Sequence, residues 1–258
     1  MKSYYTKLKH ERIHSMKNKN KKWLVALIVV AIIIIASIVG INVYASDSYS
    51  ANKTAHEALK GNSDVTVSYL DDDTTIFTPD TITTGLIFYP GGKVEYDAYA
   101  PLMMAFAENG YLCILPKMPL NLAVLSPNTA SKYIDEYVAN SDYDWYIGGH
   151  SLGGAMASNY ASKHANEFKG VYLLGAYASS DLSDTDLDVY LIHGSNDGVL
   201  NMDNYEKALK NLPEGYHEYV IDGGCHAYFG SYGEQDGDGT PTITNSEQIQ
   251  TTVDLLAH

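Results

Sequence analysis

The chain has 258 residues, 45% of them apolar and 22 of them tyrosine, and its net charge is −14. That length holds one large domain or two small ones, and that apolar share is enough for a hydrophobic core. The charge is divided: residues 1–22 carry eight Lys/Arg against one acid, whereas the remainder carries nine lysines, no arginine and 30 acids, a surface that repels phosphate backbones and excludes nucleic acid as a partner of the folded part.

Residues 1–22 read as a basic cytoplasmic segment. After it comes WLVALIVVAIIIIASIVGINVYA, residues 23–45. Leu24 to Ile41 contains no charge and is long enough to cross the hydrocarbon core of a bilayer as one helix. Lys17, Lys19, Lys21 and Lys22 stand just before it. They predict a single-pass anchor with the N-terminus in the cytoplasm and the rest of the chain outside. The alternative is a signal peptide cleaved near Ala45, although the apolar run exceeds the about 7–15 residues of a signal core. Residues 46–62 read as a polar spacer with a helical turn or two.

Residues 63–258 then alternate. VTVSYL (65–70) and TTIFTP (74–79) read as strands joined by an acidic turn. GLIFYPGG (85–92) and YLCILP (111–116) are continuous apolar runs, as in strands buried on both faces. Between them 99–110 has helical spacing, and 128–141 is helical with Asn128 as its cap. A strand over 144–150, a helix over 154–165, strands over 170–177 and 188–194, a helix over 202–212, a strand over 216–222 and a closing helix over 246–258 complete the pattern. This is an α/β chain: a mostly parallel sheet with helices on both faces and the opening pair as its antiparallel edge. The long connections 116–127 and 223–245 both follow strands, so they fall on the carboxyl-end face, where such sheets bind ligands. The short gap 178–187 leaves no room for a large lid.

Gly149-His150-Ser151-Leu152-Gly153 sits where a strand enters and a helix rich in small residues leaves. A turn that sharp strains its central residue and needs small neighbours two positions away on each side. It presents the Ser151 hydroxyl above the sheet at a helix N-terminus. A serine nucleophile needs a base and the base needs a carboxylate, here expected from later strand ends in the order acid, then histidine. His217 opens a strand and His258 ends the chain, whereas His226 follows a strand end and is the expected base. Asp197 is the expected acid, with Asp181 or Asp184 as substitutes. His150 and His193 read as structural or as lining the site. Backbone N–H groups of Leu152 and of the Pro90-Gly91-Gly92-Lys93 loop are the expected oxyanion donors; Gly92 is preferred over Gly91 or Lys93. Lys93 and Lys117 lie at the same sheet end and are candidates for holding an anionic substrate group, or simply solvated. Asp236 and Asp238 are spaced like part of a calcium loop without the rest of its ligands, and read as ordinary loop residues. Cys113 and Cys225 suit an exported chain that does not depend on disulfides.

These motifs resemble the α/β-hydrolase superfamily, in particular its compact, lidless members related to dienelactone hydrolase. GLIFYPGG is similar to the strand and oxyanion loop, GGHSLGG to the nucleophile turn, HGSNDGV to the acid turn and GGCHAYFG to the histidine loop. The resemblance implies an α/β-hydrolase fold over about residues 65–258 and a serine hydrolase with Ser151, Asp197 and His226 as catalytic residues. It implies no metal and no organic cofactor. Dienelactone hydrolases proper carry cysteine where this chain has Ser151, so their specific activity is not implied. The expected partners are a small-molecule or cell-envelope ester substrate and, through residues 23–45, a lipid bilayer. The competing reading is a non-catalytic cell-surface binding module on the same fold.

Overall fold

The structure, a computed structural model, describes Trp23, residues 27–37 and residues 39–257. The basic segment 1–22, the start of the apolar run at 24–26 and His258 lie outside the described residues. Two units emerge, Met1–Asp47 and Ser48–His258. Among the described residues of the first runs a long helix, α1 (Leu27–Ser46), 20 residues long with a mean hydropathy of 2.8.

The second unit begins before the expected boundary. Residues 48–62 are not a free spacer. Tyr49 bridges to Val94, and α2 (Lys53–Ala58) is capped by the Asn52 side chain and buries Ala55 completely. Tyr49, Ala51, Ala58 and Leu59 pack against the core beside it, and backbone hydrogen bonds from Tyr49 to the Lys93 carbonyl and from Asn52 to the Ser231 carbonyl dock a segment whose composition is polar.

Eight strands form one sheet in the order β1-β2-β4-β3-β5-β6-β7-β8. β1 (Val65–Asp71) pairs antiparallel with β2 (Thr74–Pro79), and β2 pairs antiparallel with β4 (Tyr111–Pro116). β3 (Thr84–Tyr89), β4, β5 (Asp144–His150), β6 (Gly170–Leu174), β7 (Asp188–Gly194) and β8 (His217–Ile221) run parallel. The unbroken apolar runs of β4 and β6 are buried at every position, because helices cover both faces there. β1, at the edge, is mostly exposed.

On one face α3 (Ala100–Glu108) and α7 (Asn245–Leu256) supply Leu102, Phe106 and Val253 to a core that includes Phe88 and Tyr172. On the other, α4 (Ser131–Tyr133), α5 (Leu152–Ala161) and α6 (Met202–Ala208) enclose Tyr133, Tyr160 and Tyr205 with Ile87 and Ile147. α7 opens on a capping box between Thr244 and Glu247. From β3 the chain goes outward to β4 and then crosses to β5 on β3's other side. The strand order therefore reverses between β3 and β5, which opens a crevice above their carboxyl ends.

Two helices differ from the sequence reading. The helix expected over 128–141 breaks into α4 and a π-helical turn, Ile134–Val138. Asn128 gives its backbone carbonyl to Ser131 N–H, not a side-chain cap; Tyr133 is tethered to Thr74 by its hydroxyl (2.8 Å), and the chain widens just after it. The helix expected to reach 165 stops at Ala161, where the Ser162 hydroxyl donates back to the Asn159 carbonyl.

Candidate active site

Ser151 has φ 52° and ψ −122°, a conformation that costs a non-glycine residue of order 1–3 kcal/mol. The turn forces it. β5 ends at His150, the Ser151 N–H donates to the Leu174 carbonyl on β6 (2.9 Å), and α5 begins at Leu152. Side chains on Gly149 or Gly153 would run into the backbone carbonyls of Tyr89 and, for Gly153, of Pro90 as well. The small residues that the motif demanded are therefore required by β3, the strand paired with β5.

His226 and Asp197 approach from the loops after β8 and β7. The His226 Nδ1–H donates to Asp197 Oδ2 at 2.8 Å, with both side chains almost fully buried. Asp197 Oδ1 accepts the N–H groups of Val199 and Leu200 at 2.9 and 2.8 Å, so its carboxylate is locked by its own turn. With Nδ1 committed, His226 Nε2 is the free acceptor; it is buried and has no partner among the described residues. Gly175, at φ +51°, leaves the space this pair occupies: a Cβ there would lie 2.9 Å from His226 Nδ1 and 3.3 Å from Asp197 Oδ2.

Ser151 and His226 line one cavity of about 260 Å³, together with Leu152, Ala155, Tyr177 and Leu200. Lys93 and Lys117 do not line it. The Lys117 ammonium stands 3.8 Å from Asp73, beyond the β2 edge. Asp181 accepts from the backbone N–H and hydroxyl of Ser183, Asp184 is exposed, and neither pairs with a histidine among the described residues. His217 stacks on Tyr190 at the opposite end of the sheet, and His193 bonds the adjacent Gly194 carbonyl.

Of the three loop donors considered for the oxyanion, two are spent. Gly91 N–H donates to the Tyr99 hydroxyl (3.0 Å), and Lys93 N–H to the Asn121 carbonyl (2.8 Å). Gly92 N–H has no partner among the described residues. A Cβ on Gly92 would touch the Leu152 side chain at 2.9 Å, so the two backbone segments face each other across the turn. Leu152, first residue of α5, has an N–H that no intrahelical carbonyl can reach.

Sequence reasoning missed the support behind this face. Tyr99, fully buried at the start of α3, accepts from Gly91 N–H, and its hydroxyl shares a hydrogen bond with His150 Nδ1 at 2.8 Å. The His150 ring lies 4.4 Å from the His226 ring. Burial first, and then the neighbouring His226, hold the His150 imidazole well below its ordinary value, so it is neutral. No spacing in the sequence announces that Tyr99 reaches the Gly91 loop. Asp238 spends both carboxylate oxygens on backbone N–H groups. Cys113 and Cys225 are both free and buried.

A mostly parallel sheet with its strand order reversing beneath a strained serine and a buried His–Asp pair is the architecture of an α/β hydrolase. The model of the alpha/beta hydrolase family matches residues 85–250, more than half of the sequence, and the chain belongs to that family. No curated protein matches it. Among solved structures it is similar to a CIB-like hydrolase from Thermoplasma acidophilum (16% identity, 75% of this chain and 98% of that one, TM-score 0.55). It is also similar to dienelactone hydrolase from Anabaena variabilis (14%, 74% and 94%, 0.54) and to monoglyceride lipase from Saccharomyces cerevisiae (14%, 76% and 94%, 0.51). At these identities the likeness is one of fold.

Proposed function

We propose that the protein is an exported, membrane-tethered serine hydrolase that cleaves ester bonds, with amide or thioester bonds as chemically related substrates, through an acyl-enzyme. Ser151 Oγ attacks the substrate carbonyl while His226 Nε2 takes its proton. Asp197 holds the imidazole in the required tautomer and stabilises it once it is charged. The N–H groups of Gly92 and Leu152 receive the oxyanion. Collapse of the tetrahedral intermediate expels the alcohol with the proton from His226, and a water deprotonated by the same nitrogen releases the acid.

The observation that carries this reading is the buried Asp197–His226 bond with its second ring nitrogen unspent, on the cavity that Ser151 also lines. That cavity is walled by uncharged side chains, including Leu152, Val199 and Leu200. It suits a short, uncharged acyl or alkyl group better than the anionic group for which Lys93 and Lys117 were candidates, with solvated lysines as the other reading. Length and hydropathy of α1 support a span, and the lysines that precede it support the orientation with the basic segment inside and the hydrolase unit outside.

The test is covalent labelling with a fluorophosphonate. Wild type should label and hydrolyse short-chain p-nitrophenyl esters in preference to long ones. Ser151→Ala should not label, and its rate should fall by about 10⁴-fold or more. A folded wild-type chain that neither labels nor hydrolyses any ester in the series would refute the reading.

A further inference from the structure

We propose that Asp238 is a positioning residue, which clamps the acid turn and the base loop together and so sets the aim of His226 from outside the catalytic pair. This rests on the serine-hydrolase reading and adds to it a residue that no motif contains.

Asp197 follows β7 and His226 follows β8, so their relative placement depends on what joins two separate loops. One carboxylate does so. Asp238 Oδ1 accepts the N–H of Gly198 at 3.1 Å, of His226 at 3.1 Å and of Gly239 at 2.8 Å, and Oδ2 accepts the N–H of Ala227 at 2.8 Å. Gly198 is the residue after the acid; His226 and Ala227 donate the peptide N–H groups on either side of the base's Cα. The clamp therefore grips the backbone next to both partners of the 2.8 Å Asp197–His226 bond.

The local chain is shaped for this grip. A Cβ on Gly198 would lie 2.6 Å from the Gly237 carbonyl and 2.8 Å from Gly239 N, and one on Gly239 would strike the Asn196 carbonyl. The 237–239 segment thus lies directly against the acid turn, closer than any side-chain-bearing residue permits. Other links between the loops, Asn196 N–H to the Gly224 carbonyl (2.8 Å) and the Asn196 amide to the Thr240 carbonyl (2.9 Å), hold the loops together without touching His226. Asp238 alone among them reaches the His226 N–H.

The experiment compares wild type, Asp238→Asn and Asp238→Ala as full-length chains in detergent, well below their melting temperatures. Val253→Ala, in the core under α7, serves as a control for lost stability. Three quantities are read: the fluorophosphonate labelling rate, kcat and KM on p-nitrophenyl acetate, and the downfield proton resonance of the His226 Nδ1–H. Asp238→Ala should lower kcat and labelling about 10²-fold with a smaller change in KM, the scale of a misplaced catalytic group. Asp238→Asn, which keeps one acceptor oxygen, should fall between, and the resonance should shift or broaden in both. Val253→Ala should lose melting temperature but neither rate nor resonance. Wild-type rates and an unchanged resonance in both Asp238 variants would overturn the proposal, as would an equal loss in Val253→Ala. If wild type is silent to label and ester while its resonance still responds to Asp238→Asn, the clamp stands and the hydrolase reading fails.

Discussion

At Gly175 a hydrogen in place of a methyl group decides whether the base and its acid fit. Gly175→Ala would place a Cβ 2.9 Å from His226 Nδ1 at a φ of +51°, where L side chains are strained. The imidazole must then turn or withdraw. The expected outcome is a folded protein with kcat reduced about 10²-fold and fluorophosphonate labelling slowed in proportion; unchanged labelling kinetics would contradict this geometry. Tyr99 acts from the other side. Tyr99→Phe removes the hydroxyl that satisfies Gly91 N–H and His150 Nδ1, leaving two buried polar groups unpaired at about 1–3 kcal/mol each. It should lower the melting temperature by several degrees and kcat as well, because the freed Gly91 loop carries Gly92. A thermal melt and a rate measurement on the same sample check both. Much of the residue scale was legible in the sequence. Ser151 was set by its small neighbours, and His226 by the exclusion of a histidine at the wrong end of a strand. Gly175 and Tyr99 were not legible, since each matters for what a distant loop brings against it.

Between elements, the two long connections do unequal work. The 222–244 loop after β8 carries His226 and Asp238, and the half-buried Asp238 carboxylate makes the site sensitive to acid. Burial works against the Asp238 charge, but four backbone N–H donors outweigh it and leave the carboxyl below its ordinary value. A group depressed on folding contributes stability in full above its unfolded value, about pH 4, and loses it as pH falls through the lowered folded value. Melting curves should therefore show wild type above Asp238→Asn at neutral pH, with the gap closing below about pH 4; parallel curves down to acid would contradict the assignment. The loop after β4 contributes differently. It holds Leu120 and Asn121 at positive φ and offers the Asn121 carbonyl to Lys93 N–H, which singles out Gly92 as the donor left over. Element types were readable in advance, because alternation, apolar runs and glycine stops are written within a few residues. The π-helical break after α4 was not, as it follows the tethering of Tyr133 to a strand nearly 60 positions away.

For the whole molecule, α1 at about 1.5 Å per residue spans about 30 Å, the thickness of a bilayer's hydrocarbon core. An alkaline carbonate wash should leave the full chain in the membrane fraction. Deletion of residues 1–46 should release a soluble unit, beginning near Ser48, that keeps the full chain's fluorophosphonate labelling and hydrolase activity, because that unit has its own two-faced core. Recovery of the full chain in the wash would count against the anchor. The amino-acid sequence by itself determined the α/β class, the antiparallel edge and the strained turn at Ser151, because each depends on periodicity or turn chemistry confined to short stretches. Tertiary structure alone decided that 48–62 docks, that Gly92 N–H is the loop donor without a partner among the described residues, that neither lysine lines the cavity and that Asp238 grips both loops. Those outcomes depend on which backbone groups meet across the fold and which are already bonded, and no local spacing along a chain records such meetings.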